Sequence, residues 1–284
     1  MFELSLENSA GKRAELTNRK EYAVTEIQGL NPPSAKINTS ETALFDGGRF
    51  NSSKVNMRSI NIALTLNYEA EKNRIALYDV VRVKEQINIY YKNGLRDVFI
   101  PGYVESFTVN YFANKQTAAI SILCPEPYFR AAQDVINEVS MIVGAFHFPF
   151  AITAEEPIPF SYYGEIAEID VVNIGDVTSG LQIEIRAEGN VTNPRIYNRD
   201  TREFFGIQKE FEPGDVIYID TRKGQKKARL LRDGEYINIF NSIEKGSTWL
   251  QLTPGDNIMT YEGDGTSAEY MSVRFIHSPL YEGV

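Results

Sequence analysis

Hydrophobic and polar residues alternate along much of the first half of the chain. In the segment SINIALTL, four apolar side chains would point to one side, and the intervening Asn, Ala and Thr to the other. These apolar residues are Ile60, Ile62, Leu64 and Leu66. The segments QINIYYKNG, YVESFTVNYF and TAAISILC continue the pattern. The alternation predicts antiparallel strands, with hairpin turns at Asn93-Gly94 and at Ala113–Lys115.

One segment, EAEKNRIALYDVV, breaks this alternation. Its apolar residues recur every three or four positions, and Glu69 and Glu71 precede them, where acidic side chains favour a helix N-terminus. The apolar residues are Ile75, Leu77, Tyr78, Val80 and Val81. The spacing predicts a single helix of about three turns that packs on the sheet.

The second half consists of short strand patterns separated by turn sequences such as NIGD, RKGQ and EGDG, a spacing typical of a β-sandwich or jelly roll. Pro125 and Pro127 end the last strand of the first half, because proline cannot donate a backbone hydrogen bond. We therefore predict a mainly β protein. It has a β-sandwich-like N-terminal domain over residues 1–130 with one short helix and hairpins, a linker at 131–141, and a β-sandwich domain over 142–284.

The formal charge of −9 is unevenly distributed. Residues 1–130 carry a net charge of +2, whereas residues 131–284 carry −11. This acidic balance argues against a protein that wraps nucleic acid through its phosphates. The first residues, MFELSL, lack the basic start and apolar core of a signal peptide, and the longest apolar run, 141–152, is too short to span a bilayer. We expect no signal peptide and no membrane partner.

Candidate catalytic and metal-binding residues are few. His147 and His277 lie far apart and have no Ser or Cys motif beside them, and no nucleotide-binding or hydrolase motif occurs. The single cysteine, Cys124, excludes an internal disulfide and a CxxC metal site. Acidic pairs such as Glu155-Glu156 are expected on the surface of so acidic a half. We expect no catalytic residue, metal site or cofactor, and a protein that is not an enzyme.

Carbohydrate binding is the alternative function. A β-sandwich can hold sugars by stacking them on exposed aromatic rings. Trp249, in STWLQL, is the only tryptophan and is the candidate stacking residue. A tryptophan in a strand is more often a core residue, because burial of its large apolar surface is favourable. Both interpretations of Trp249 stay open at this point.

The stretch GLNPPSAKINTSETALFDGGRF, from Gly29 to Phe50, is polar and rich in turn residues. Compact domains rarely contain so long a segment of this kind without a function. Pro32-Pro33 limit its backbone freedom, and Phe45 and Phe50 flank Asp46-Gly47-Gly48 as apolar anchors. The stretch is therefore a candidate contact with another subunit, and a flexible surface loop is the alternative.

The order of these segments resembles the siphophage distal tail protein (Dit) family. The turn GLNPP, the loop DGG, the strand entry GYVE and the exit CPEPYF are similar to its N-terminal domain. The segments NIGDVTSGLQIEIRAEGNVTNPRIYNRDT, PGDVIYIDT and LTPGDNIMTYEGDG are similar to its galectin-like C-terminal domain. The resemblance covers nearly the whole chain and depends on turns and strand order.

The resemblance implies a structural protein of the virion tail tip, made in the cytoplasm of the host bacterium. Its N-terminal domains would form a homo-hexameric ring, from which galectin-like domains project outward. The ring would join the tail tube protein to the tail-tip protein and to a receptor-binding protein or adhesin, and DNA would pass through the lumen without specific binding. Similar hubs occur in contractile tails, prophages and tailocins, and the sequence does not separate these.

On this interpretation, seven residues of the Gly29–Phe50 stretch contact a neighbouring subunit or the tube protein. They are Pro32, Pro33, Phe45, Asp46, Gly47, Gly48 and Phe50.

Overall fold

The chain forms two compact units in the computed structural model. Unit 1 consists of residues 1–132 and 280–284, and unit 2 consists of residues 133–279. The residues that the structure describes are 2–41, 46–140, 142–144, 161–163 and 168–284.

Strands dominate both units. Besides two short 3-10 helices, the described residues form one α-helix, α1 (Ala70–Val80). The strands up to residue 132 are β1 (Glu3–Asn8), β2 (Arg13–Glu15), β3 (Tyr22–Gln28), β4 (Ala35–Glu41), β5 (Gly48–Val55), β6 (Arg58–Leu66), β7 (Gln86–Lys92), β8 (Asp97–Asn110), β9 (Thr117–Cys124) and β10 (Phe129–Ala131). The remaining strands are β11 (Val135–Ser140), β12 (Ile142–Gly144), β13 (Ser161–Tyr163), β14 (Glu168–Asp170), β15 (Ser179–Gly180), β16 (Gln182–Ala187), β17 (Val191–Thr192), β18 (Arg195–Asn198), β19 (Glu203–Gly206), β20 (Glu210–Phe211), β21 (Val216–Asp220), β22 (Lys227–Arg232), β23 (Glu235–Asn238), β24 (Gln251–Leu252), β25 (Ile258–Glu262), β26 (Met271–His277) and β27 (Leu280–Tyr281).

Unit 1 is built on one antiparallel sheet. Its strands follow the order β2-β1-β7-β8-β9-β6-β3, and β10 pairs with both β8 and β27. The predicted alternation is confirmed in β6, whose apolar residues Ile60, Ile62, Leu64 and Leu66 are all buried. Both predicted hairpins are present, as β7–β8 and β8–β9. Cys124 lies in this core, where burial raises the pKa of its thiol to about 12.

The first of these hairpins turns differently from the expected two-residue Asn-Gly turn. Lys92 pairs with Asp97, so the loop contains four residues, and neither Asn93 nor Gly94 has a positive φ. The Asn93 Oδ1 atom instead accepts hydrogen bonds from the backbone nitrogens of Leu95 (2.9 Å) and Arg96 (2.8 Å). The asparagine side chain therefore replaces the special backbone geometry that a shorter turn requires.

The predicted helix is confirmed, but one of its predicted core residues is wrong. Asn73, Leu77 and Val80 are buried, because positions i, i+4 and i+7 share one face of a helix. Ile75 falls on another face and is 54% exposed. The buried Asn73 side chain donates a hydrogen bond to the Asn67 carbonyl (2.9 Å), which satisfies its amide. No helix within the described residues has the length and hydrophobicity needed to cross a membrane.

Two antiparallel sheets face each other in unit 2. The larger follows the order β11-β26-β16-β21-β22-β23, and the smaller follows β14-β25-β18-β19. Side chains from both sheets form one buried core, among them Ile183 and Phe275 of the larger sheet and Ile196 and Met259 of the smaller. This arrangement is a β-sandwich, and the predicted mainly β fold is confirmed.

The two units divide the chain differently from the predicted boundaries. The segment expected as a linker, 131–141, contains β11, which pairs along its length with β26 in unit 2. Its alternating pattern, VINEVS, directs Val139 onto the core of unit 2. The last five residues of the expected second domain, 142–284, belong to unit 1 instead.

The chain leaves unit 1 and returns to it at adjacent positions. Phe129 of β10 pairs with Tyr281 of β27, and Arg130 pairs with Leu280. Unit 2 is therefore inserted between two neighbouring strands of unit 1.

Candidate functional site

The stretch between Gly29 and Phe50 contributes most of an exposed β-hairpin, which we call the arm and define as 35–55. Its strands β4 and β5 pair with each other and with no other described strand. Every residue of β4 is exposed, as is every residue of β5 except Val55. Strands of this length extend about 20–25 Å. An isolated two-stranded hairpin is only marginally stable in water, so the arm is suited to a partner that covers it.

One side of the arm is apolar. Ala35 pairs with Val55, and Thr39 pairs with Phe50, so these side chains lie on the same side as Ile37. Ile37 is 55% exposed and Phe50 is 59% exposed, which is unusual for residues that could be buried. We call this side the apolar face.

The opposite side of the arm is polar and basic. Lys36 pairs with Lys54, and Ser40 pairs with Arg49. Asn38 donates a hydrogen bond to the Ser52 hydroxyl (3.0 Å) across the strands on this same side. The arm is thus an amphipathic ribbon, and its apolar face has no cover from the described residues of its own chain.

A buried arginine fixes the foot of the arm. Arg58, the first residue of β6, is 4% exposed and donates hydrogen bonds to four backbone carbonyls. The acceptors are those of Gly29 (2.7 Å), Asn31 (2.9 Å), Pro127 (2.7 Å) and Glu282. The Phe129 ring lies 4.6 Å from the guanidinium carbon. Burial lowers the pKa of Arg58, and these bonds offset the cost of burying its charge.

Gly29 is required where the chain leaves the sheet for the arm. Its φ is +92°, and a Cβ atom added there would lie 2.2 Å from the Ser59 carbonyl oxygen. Any other residue would be strained and would also push β6 away from the foot of the arm.

Six of the seven predicted contact residues are described, and they belong to the arm or its foot. Pro32 and Pro33 precede β4, Asp46 and Gly47 lie in the turn, Gly48 begins β5, and Phe50 lies on the apolar face. Only Pro33 is half-buried, and the others are exposed. Phe45 lies outside the described residues. Sequence reasoning missed Ile37, although the alternation in AKINTSE would have identified it. The contact role of these residues stays a prediction.

Unit 1 has a second exposed apolar surface, which we call the aromatic end. It comprises Tyr68, Tyr111 and Phe112, which are 78%, 49% and 100% exposed. The Leu66 backbone nitrogen binds the Gln116 carbonyl (2.9 Å), which holds the two loops that carry these rings side by side. The arm joins the start of β6 and Tyr68 follows its end, so the two surfaces lie about 30 Å apart along that strand.

The candidate stacking residue Trp249 is half-buried in unit 2. Its ring lies 5.0 Å from the buried Phe205 ring and 5.9 Å from the exposed Phe240 ring, measured between centroids. The Lys226 ammonium lies 5.4 Å from the Trp249 ring centroid. Through these contacts Trp249 covers part of the core of unit 2, and its role as a stacking residue stays a prediction.

Solved structures share this fold along nearly the whole chain. The structure of the SPP1 Dit protein, described as a paradigm of the hub adsorption apparatus in phages that infect Gram-positive bacteria, matches with a TM-score of 0.69. The match covers 97% of this chain and 98% of that one, at 13% identity. The phage P2 baseplate in its calcium-activated conformation matches with a TM-score of 0.56 at 10% identity, over 100% of both chains. Its strontium form matches with a TM-score of 0.54 at 10% identity, over 98% of both chains.

One sequence family matches part of the chain, and this match adds to the likeness of the folds. Residues 174–276 match the family described as the siphovirus-type tail component (SPP1 Dit), C-terminal domain. This part of the chain is similar to the Dit family. The resemblance found in the turn sequences is thereby confirmed, and the matched residues include most of the sandwich in unit 2. A search of curated proteins gave no match.

Proposed function

We propose that the chain is a structural component of a phage virion that forms a homo-hexameric hub ring at the distal end of the tail. The ring joins the tail tube protein to the tail-tip protein and to a receptor-binding protein or adhesin, and DNA passes through its lumen. The match of residues 174–276 to the Dit family and the likeness of the fold to hub and baseplate proteins support this proposal. In this role the protein is not an enzyme.

The observation that carries the proposal is the amphipathic arm. A cyclic ring joins each subunit to the next through two different surfaces, one on each side of the subunit. The apolar face of the arm and the aromatic end are two such surfaces, since they lie at opposite ends of β6. We assign the apolar face, including Ile37 and Phe50, to the contact with the next copy.

The anchored foot of the arm supports this assignment. Arg58 and Gly29 hold the base of the hairpin in one position, so less freedom is lost when the arm docks than for a loose loop. The side of the arm that carries Lys36 and Lys54 would then remain in water, because burying two lysines that face each other would be costly.

The test is the oligomeric state of an arm variant. Replacing Ile37 and Phe50 together with Ser should abolish or strongly reduce the hexamer in native mass spectrometry. The thermal midpoint of the isolated subunit should change little, because both side chains are already exposed. The matched control replaces Lys36 and Lys54 with Ser on the opposite side, which should leave the ring intact.

Two outcomes would contradict the proposal. One is a wild-type chain that stays monomeric at high protein concentration. The other is an Ile37→Ser, Phe50→Ser variant that assembles normally but unfolds many degrees earlier, which would make the arm a cover for its own domain.

A further inference from the structure

Positive charge is concentrated at one place in the acidic second half of the chain. Residues 222–232 contain six of the 13 Lys and Arg residues of the segment 131–284 and no Asp or Glu, although that segment has a net charge of −11. The six are Arg222, Lys223, Lys226, Lys227, Arg229 and Arg232. They lie on β22 and on the turn that precedes it. A local basic surface on an acidic domain attracts anions to that surface alone.

Half of these cations are already neutralised. Asp220 lies 2.7 Å from the Arg222 guanidinium and 3.7 Å from the Lys227 ammonium, and Arg232 is paired with Asp215. The other three, Lys223, Lys226 and Arg229, have no carboxylate within 4.0 Å among the described residues. The charges of Lys223 and Arg229 are available to a ligand, whereas the Lys226 ammonium lies over the Trp249 ring.

A groove of about 250 Å³ lies beside these cations on the outer face of the six-stranded sheet. Its polar and aromatic lining comprises Gln182, Glu184, Tyr218, Asp220, Lys227, Arg229 and Tyr236. The Glu184 carboxylate lies 3.7 Å from the Arg274 guanidinium and the Asp220 carboxylate is paired with Arg222, so both acidic groups are already neutralised. Strand register sets these side chains in rows, with Arg229 between Tyr218 and Asn238. Side chains on paired strands are held in fixed positions, so the groove is formed before any ligand arrives.

The two tyrosines give the groove exposed aromatic surface. Tyr236 is 62% exposed, and its ring centroid lies 5.9 Å from that of Tyr218. Neither hydroxyl has a hydrogen-bond partner among the described residues. An edge strand that only faced water would not gain from a tyrosine exposed to this degree.

The exposed tyrosines, the polar groups and the unpaired cations of the groove together fit a ligand that has both sugar rings and negative charges. Exposed rings stack on the apolar faces of sugar rings, and phenol, carboxamide and carboxylate groups bind their hydroxyls. Unpaired ammonium and guanidinium groups bind carboxylate or phosphate through charge-assisted hydrogen bonds. An open groove admits a polymer as well as a single sugar.

We propose that this groove of unit 2 binds an anionic polysaccharide, a hydroxyl-rich polymer that carries carboxylate or phosphodiester groups. Tyr236 stacks on a sugar ring, Arg229 binds the negative group, and the lysines of the 222–227 turn attract the polymer. Trp249 does not line the groove, so this site differs from the stacking site that the sequence suggested. The inference does not depend on ring assembly.

The test measures binding of defined polymers to the full chain by affinity electrophoresis and calorimetry. The probes are hyaluronan, which carries carboxylates, poly(glycerol phosphate), which carries phosphodiesters, neutral dextran, and single-stranded DNA. At least one acidic hydroxyl-rich polymer should bind at least tenfold more tightly than dextran, and its binding should weaken as salt is raised. Which of the two binds identifies the source of the negative charge.

Variants locate the binding. Tyr236→Ala and Arg229→Gln should each reduce binding at least tenfold, and Arg229→Gln should also reduce the salt dependence. Tyr103→Ala and Lys245→Gln remove an exposed tyrosine and an exposed lysine elsewhere and should leave polysaccharide binding unchanged. Tyr236→Phe, which keeps the ring, should retain most of the affinity and controls for folding.

Three results would overturn the proposal. They are no binding of either acidic polysaccharide, unchanged binding in Tyr236→Ala, and DNA binding as tight as that of the polysaccharides. Ring fraction measured on the same variants separates this inference from the proposed function, because Tyr236→Ala should assemble normally.

Discussion

The Arg58 guanidinium donates a hydrogen bond to the backbone carbonyl of Glu282, 224 positions further along the chain. The same guanidinium binds Gly29 and Asn31 at the foot of the arm and Pro127 near the exit from the first segment of unit 1. One buried cation therefore joins the arm to the place where the chain leaves and re-enters unit 1. The returning segment also contacts the foot of the arm directly, since the Val284 nitrogen donates to the Leu30 carbonyl (3.2 Å).

Replacement of Arg58 should destabilise unit 1 and loosen the arm. Arg58→Met keeps the stem that packs on Phe129 but leaves four buried carbonyls without their donor, which should cost about 3–5 kcal/mol of unfolding free energy. The measurements are chemical unfolding and amide hydrogen exchange around residues 29–31 and 282–284. Arg13→Met is the control, because Arg13 is exposed and binds only the Ser5 hydroxyl and the Tyr90 ring. An Arg58→Met variant as stable as Arg13→Met would show that the network contributes nothing.

Unit 1 should fold without unit 2 only if its last strand is kept. A chain in which an Asn-Gly linker replaces residues 133–279 should form a β10–β27 hairpin, because Arg130 and Leu280 are already paired. A fragment that ends at residue 132 lacks β27, the Glu282 acceptor of Arg58 and the packing of Val284 on the core. Thermal unfolding should show the linked chain to be more stable by about 2–4 kcal/mol. Equal stability of the two would mean that residues 280–284 are not part of the fold of unit 1.

Local sequence patterns predicted the strands and the helix. The features that could not be predicted depend on contacts between residues far apart in the chain. The alternation in β6 and the helical spacing around Leu77 reflect one buried face each, so the sequence alone reveals them. The return of β27 to unit 1 depends on a cation 224 positions away, for which SPLYEGV has no local signal. The linker expected at 131–141 failed for a related reason, because the pairing of β11 with β26 spans more than 130 positions.

The stretch between Gly29 and Phe50 was predicted as a loop, and the structure gives it a different form. Pro, Gly and Asp suggested a loop between Gly29 and Phe50, and those residues instead form the foot and turn of a paired ribbon. The period-two pattern that marks the apolar face is interrupted where the pairing of β4 and β5 shifts between Asn38 and Thr39. Because of that irregularity, the residues of GRFNSSKV that share one side of the ribbon do not follow a continuous two-residue period. The tyrosine groove of unit 2 requires strand register, which single-sequence patterns do not supply.

Trp249 should contribute to stability more than to binding. Trp249→Ala removes contacts with Phe205 and Phe240 and should lower the unfolding free energy of unit 2 by about 3 kcal/mol, less than a fully buried tryptophan. Thermal unfolding of the full chain measures this loss. Phe240→Ala, which truncates a ring that is 49% exposed, is the control and should cost less. Unchanged stability together with loss of polysaccharide binding would make Trp249 the stacking platform after all.

Mild acid should destabilise unit 2 through His277. Its side chain is 1% exposed, and neither ring nitrogen has a hydrogen-bond partner within the described residues. Burial lowers the pKa of His277 below its ordinary value of 6.5, and the nearby Val172 backbone and Asp134 carboxylate offset only part of that effect. The unfolded chain therefore binds a proton near pH 6.5 that the folded chain does not bind, so stability is full above that pH. It should fall by up to about 1.4 kcal/mol per pH unit as the pH decreases through 6.5 toward the folded pKa.

The urea midpoint of unit 2 between pH 8 and pH 5 measures this loss. His277→Phe should flatten the profile over that range, because the apolar ring has no charge to bury. Two carboxylates of unit 2 lose their protons at lower pH than usual. The Arg232 hydrogen bond lowers the pKa of Asp215, and for Asp220 burial raises the pKa but hydrogen bonds from Arg222 and Gln182 bring it below its ordinary value. Those two carboxylates lose their contribution only at lower pH. If the His277→Phe profile keeps the wild-type slope, another group is responsible for the acid sensitivity of unit 2.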